Sequence, residues 1–87
     1  MKHASHAEVG NRLKRSAGHL QKVISMLSEG RPCSELAQQL HAVERAVGAA
    51  KKVLIQDHID HCLSQPPETS ESHAEIIADL REITRYL

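Results

Sequence analysis

From Cys33 to Leu54 the residues at 33, 36, 40, 43, 47, 50 and 54 are apolar, in alternating steps of three and four. That spacing puts one row of side chains along a single face of an α-helix. No breaker follows until Pro66-Pro67, and Gly48 is the one soft point within the run. A helix over 34–63 is roughly 45 Å long at a rise of about 1.5 Å per residue. A compact chain of 87 residues has a radius of gyration of about 12 Å. Such a rod must project from the body of the protomer with an apolar seam along it, so the expectation is that it pairs with a second copy of itself.

Two shorter helices flank the rod. Val9, Leu13, Ser16, Leu20, Val23 and Leu27 repeat the 4-3 spacing, and Ser5 with Glu8 reads as a capping box at the start. Gly30 supplies the stop, and Pro32 suits the first turn of the long helix. After the loop "SQPPETSES", Ser72 and Glu75 read as a second capping box before Ile76, Leu80, Ile83 and Leu87. No strand, repeat or low-complexity segment stands out. The expected fold is all-α, a three-helix protomer with a long central helix, forming one domain over residues 1–87.

With no Trp, no Phe and Tyr86 as the single aromatic residue, the core is small and aliphatic. A chain this short often draws extra stability from a metal or from oligomerisation. No run is apolar enough to span a bilayer and no signal-peptide pattern is present, so a cytoplasmic location and no membrane partner are expected. Two cysteines are too few for a disulfide scaffold and would stay thiols in a reducing compartment. Net charge is zero but polarised. Residues 1–32 carry six basic and two acidic side chains, a net +4, whereas residues 53–87 carry two and seven, a net −5. One end suits phosphate and the other does not.

The chemistry gathers in "DHIDHC", residues 57–62. His58 and Cys62 are four apart, on one helix face, and can grip one ion. The other thiol, Cys33, is 25 residues from His58, roughly 37 Å along the axis. It cannot join them within one chain. Two central helices packed antiparallel remove the difficulty, setting Cys33 of one chain beside His58 and Cys62 of the other, twice in a symmetric dimer. His61 falls near the extended seam as a packing or supporting residue, His19 and His41 read as surface residues, and Asp57 or Asp60 can orient an imidazole.

At these residues the chain resembles the CsoR/RcnR family of metal-responsive bacterial transcriptional repressors. "RLKRSAGHL", "GRPCSELAQQLHAVERAV" and "LIQDHIDHCL" carry the resemblance, and the Cys…His-x-x-x-Cys spacing of Cys33, His58 and Cys62 is its specific part. The resemblance implies an antiparallel dimer assembling to a tetramer, a dimer of dimers. It implies that the metal-free form binds operator DNA and lets go on loading, derepressing a metal efflux or resistance gene. It also implies DNA contacts from basic residues, here Arg12, Lys14 and Arg15. In the central helix Glu44 stands where many relatives have Arg, leaving Arg45, Lys51 or Lys52 to replace it.

Family members answer to Cu(I), Ni(II) or Co(II), formaldehyde or sulfur species. His58 argues against the persulfide type and Cys62 against the formaldehyde type. Copper(I) is content with two thiolates and one imidazole, whereas nickel and cobalt want more nitrogen. His3 and His6 in the tail "MKHASH", with His61, offer that nitrogen. Ni(II) or Co(II) is therefore the preferred signal, with Cu(I) as the alternative. A formaldehyde sensor of the same family, or a metal store or chaperone, ranks lower, since a store needs no basic first helix. A helical seam offers no substrate pocket or oxyanion site, so no enzyme is expected.

Overall fold

A computed structural model describes residues 4–64 and 66–87. Three helices follow in order: α1 (His6–Ser28), α2 (Cys33–Ser64) and α3 (Ser70–Thr84). There is no strand among the described residues. α1 lies along α2, and α3 folds back against the C-terminal part of α2. The radius of gyration is 18.0 Å and the extents are 60 × 23 × 14 Å. The 32-residue α2 runs unbroken through Gly48 and sets that length.

The α1–α2 turn is built as the glycine suggests. Gly30 has φ 71, Gly30 N–H donates to Leu27 O at 3.1 Å, and Arg31 N–H donates to Met26 O at 3.2 Å. This is the Schellman arrangement that closes a helix on a left-handed residue. Pro32 sits one place earlier than expected. Its carbonyl accepts from the amides of Glu35 and Leu36, making it the cap, with Cys33 as the first helical residue.

Both capping boxes differ from expectation. Ser5 has helical φ/ψ and its side chain makes no cap bond. Its hydroxyl donates instead to Asp57 Oδ2 at 2.7 Å, and Glu8 is taken by Arg12 at 3.2 Å. A cross-helix acceptor took the hydroxyl in place of the local backbone N–H donor. α3 starts before Ser72, because Thr69 in extended geometry accepts from the amide of Ser72 at 2.9 Å.

The protomer buries one of two alternating rows in each seam. Val9, Ser16, Val23 and Met26 of α1 and Leu36, Val43, Ala50 and Ile55 of α2 are buried, with Val23, Met26, Leu36 and Val43 packed in one cluster. Leu13, Leu20, Leu40 and Val47 belong to the other rows and stay 42% to 46% exposed. A single α1–α2 pair is too narrow to cover both. Leu87, expected in the α3 seam, is also exposed, because α3 ends at Thr84.

Candidate metal centre

The C-terminal end of α2 and the middle of α3 form the centre. His58 and Cys62 lie one helical turn apart, as i and i+4 require, with Cys62 Sγ 3.6 Å from His58 Nε2. Asp79 comes in from α3. Its Oδ2 pairs with His58 Nε2 and lies 3.9 Å from Cys62 Sγ. One ligand atom from each of the three falls within 4.8 Å of the others, the one such grouping among the described residues.

Sequence reading missed Asp79. It looked for the imidazole's carboxylate on α2, at Asp57 or Asp60, but Asp57 receives the Ser5 hydroxyl. A signal was present all the same. The α3 face toward α2 carries Ile76, Leu80 and Ile83, all half-buried, and Asp79 falls on that face. Asp79 itself stays exposed, so its spacing with these residues, not burial, was the available signal.

Burial pushes the Cys62 thiol above its ordinary pKa, and the charge and hydrogen bond of Asp79 push it further. The three donors are a thiol, an imidazole and a carboxylate. As thiolate and neutral imidazole they suit a soft or borderline transition-metal cation. A bound cation would also relieve the thiolate–carboxylate repulsion.

The other proposed ligands are placed differently. Cys33 is exposed at the opposite end of α2. His61 is half-buried on the same helix as His58 but outside the three-residue grouping. His6 is exposed at the first position of α1, directly after Ser5, whose hydroxyl reaches Asp57 beside His58. His3 lies outside the described residues.

The basic residues lie away from this grouping. Lys14, Arg15, Arg45, Lys51 and Lys52 are exposed and Arg12 is half-exposed. Arg12, Arg15, Ser16 and His19 line a cleft of about 250 Å³ closed by Ala46 of α2. Lys52 instead borders a separate groove of about 440 Å³ with Ile55, Ile59 and Leu87. His41 is exposed as expected. His19 is not a plain surface residue, since it is half-buried with Nε2 at 2.6 Å from Gln39 Oε1 of α2.

Residues 5–86 match the family model described as metal-sensitive transcriptional repressor. The copper-sensing transcriptional repressor CsoR of Mycobacterium ulcerans (strain Agy99) is 37% identical over 54 residues, 62% of this chain and 46% of that protein. The match thus spans about half the length of that relative. The copper-sensing repressor CsoR of Bacillus subtilis (strain 168) is 27% identical over 76 residues, 87% of this chain and 74% of that protein. Among solved structures, the nickel-responsive transcriptional regulator InrS superposes with a TM-score of 0.82 at 30% identity, covering 100% of this chain and 98% of that one. Family model and superposed neighbour both run nearly end to end, and they bear out the resemblance in the sequence: the chain belongs to the CsoR/RcnR family of metal-sensitive transcriptional repressors, not to a family of enzymes.

Proposed function

We propose that this protein is a metal-responsive repressor whose metal-free form holds operator DNA and whose loaded form releases it, derepressing a metal efflux or resistance gene. The observation that carries this reading is the His58–Cys62–Asp79 grouping, which joins the ligand-bearing end of α2 to α3. No helix among the described residues is long and apolar enough to cross a membrane. The reading places the protein in the cytoplasm, with DNA and with thiols kept reduced.

Its working form is an antiparallel dimer, two of which make the tetramer. Cys33 of one chain completes the site with His58 and Cys62 of the other. Two observations support this. Cys33 is exposed, and the exposed rows of α1 and α2 have no cover within the protomer. Leu13, Leu20, Leu40 and Val47 each keep nearly half their surface, so covering them contributes about 1 kcal/mol apiece.

Each chain's own residues have separable tasks. Cys62 and Cys33 supply thiolates and His58 a nitrogen. Asp79 pairs with His58 Nε2, the nitrogen that faces Cys62, so a metal entering between them displaces or recruits the carboxylate and with it acts on α3. Arg12, Lys14 and Arg15 hold phosphates, with Arg45, Lys51 or Lys52 adding to them from α2. Metal can release DNA only if the loaded geometry binds DNA less well than the free one. A tenfold loss needs about 1.4 kcal/mol. By reciprocity, DNA weakens metal binding by the same factor.

Nickel(II) or cobalt(II) is the favoured signal. The neighbour that covers the whole chain is a nickel-responsive regulator. The Ser5–Asp57 bond also holds the start of α1, where His6 is the first helical residue, against the turn of α2 that carries His58. Copper(I) is the second reading, favoured by the copper-sensing relatives and by the two-thiolate set. A nickel titration followed by thiolate-to-metal absorption tests the proposal. Cys33→Ala and Cys62→Ala are each expected to lose the band, and mixed dimers to regain one site in two. His3→Ala with His6→Ala is expected to keep thiolate absorption with fewer nitrogen ligands. A normal band in Cys33→Ala contradicts the shared site, and an unchanged spectrum in the tail variant shifts the signal to copper.

A further inference from the structure

The α1–α2 cleft holds a titratable side chain that the metal site does not use. Arg12, Arg15, Ser16 and His19 stand at helix positions i, i+3, i+4 and i+7, so one face of α1 presents two guanidinium groups, a hydroxyl and an imidazole to the same space. His19 is tied across to α2, with Nε2 at 2.6 Å from Gln39 Oε1. A carbonyl oxygen only accepts, so Nε2 carries the hydrogen and a neutral ring keeps a bare lone pair on Nδ1. That lone pair repels a phosphate oxygen, whereas a proton on Nδ1 makes it a donor and adds a third positive charge to the cleft.

Building on the DNA-binding reading above, we propose that this cleft seats one phosphate of a duplex backbone and that His19 becomes its ligand by taking up a proton as the phosphate enters. The fold prepares the imidazole for this role by fixing its tautomer. The charged groups around it are few. On α1 they are Arg12, already paired with Glu8 at 3.2 Å, together with Arg15 and Lys22. On α2, Glu35 stands one turn before Gln39 and is taken by Arg31 at 2.5 Å, and Arg45 directly precedes the cleft residue Ala46. α3 does not pack on α1. Ala46, the α2 residue in the cleft lining, offers no competing charge. Binding through this seat therefore consumes a proton and weakens as pH rises.

The test is the affinity of the metal-free protein for a random-sequence duplex at fixed salt, between about pH 6 and pH 8, the range in which imidazoles change charge. Parent and His19→Gln are compared, so that titration elsewhere cancels. The parent is expected to lose affinity as pH rises, at most about tenfold per pH unit for one proton, and His19→Gln to show a flatter profile. Imidazole ¹⁵N spectra of the parent are expected to show His19 Nδ1 gaining a hydrogen as duplex is added. Equal pH profiles with duplex bound, or a His19 Nδ1 that stays unprotonated in the complex, overturn the inference while the repressor reading stands. Failure of the parent to bind this duplex at any pH overturns the inference, and failure on the promoter duplex as well overturns both.

Discussion

Cys62 and Asp79 oppose each other in the metal-free protein. Burial raises the thiol's pKa first, and the carboxylate adds to it by charge and by hydrogen bond. A raised folded-state value means the fold favours the protonated thiol. That contribution to stability is present below the unfolded thiol's pKa and is lost as pH rises through the folded one. Asp79→Asn removes the charge but leaves the burial, so the thiol moves part of the way back. In a Cys33→Ala background, the pH profile of iodoacetamide alkylation is expected to shift to lower pH on adding Asp79→Asn. An unshifted profile would show that Asp79 does not act on the thiol. His58 and Cys62 were legible in the sequence because their partnership is local, four residues apart on one helix. Asp79 was not, because its partnership with His58 spans 21 residues and depends on how α3 lands on α2.

Helix boundaries divide in the same way. Gly30 was legible, since a left-handed residue at a helix end has a backbone need that glycine meets alone at no cost. An added Cβ meets no atom within 4 Å, so Gly30→Ala isolates the backbone term. The loss is expected to be about 1–2 kcal/mol, read as a lower midpoint in thermal or denaturant unfolding of the metal-free protein. No loss would mean that the turn tolerates another conformation. The two capping boxes misled because Ser5 and Ser72 had competitors. Asp57 claimed the Ser5 hydroxyl from across the α1–α2 interface, and Thr69 capped α3 ahead of Ser72. The 3-4 pattern located both long helices but did not say which of its two rows the protomer buries. Val23 and Val43 face inward while Leu20 and Leu40 do not, and that choice depends on how far α1 is rotated against α2.

At the scale of the whole molecule, the elongated protomer, 60 Å in its longest extent, carries its parts at separate places. The candidate metal donors sit where α2 ends and α3 returns. The Arg12–Arg15 cleft lies between α1 and α2. α1 is tied to α2 by Ser5–Asp57 beside the donors and by His19–Gln39 beside the cleft. In the proposed function, a metal that rearranges the end of α2 therefore acts on the helix to which the phosphate contacts are assigned. The direct measurement is fluorescence anisotropy of the metal-free protein on a labelled duplex from the promoter it controls, titrated with nickel and, anaerobically, with Cu(I). The account predicts tight binding without metal and release complete near one equivalent of the cognate metal per chain, with His58→Ala bound to DNA throughout. Binding that neither metal reverses, or release that persists in His58→Ala, would contradict it.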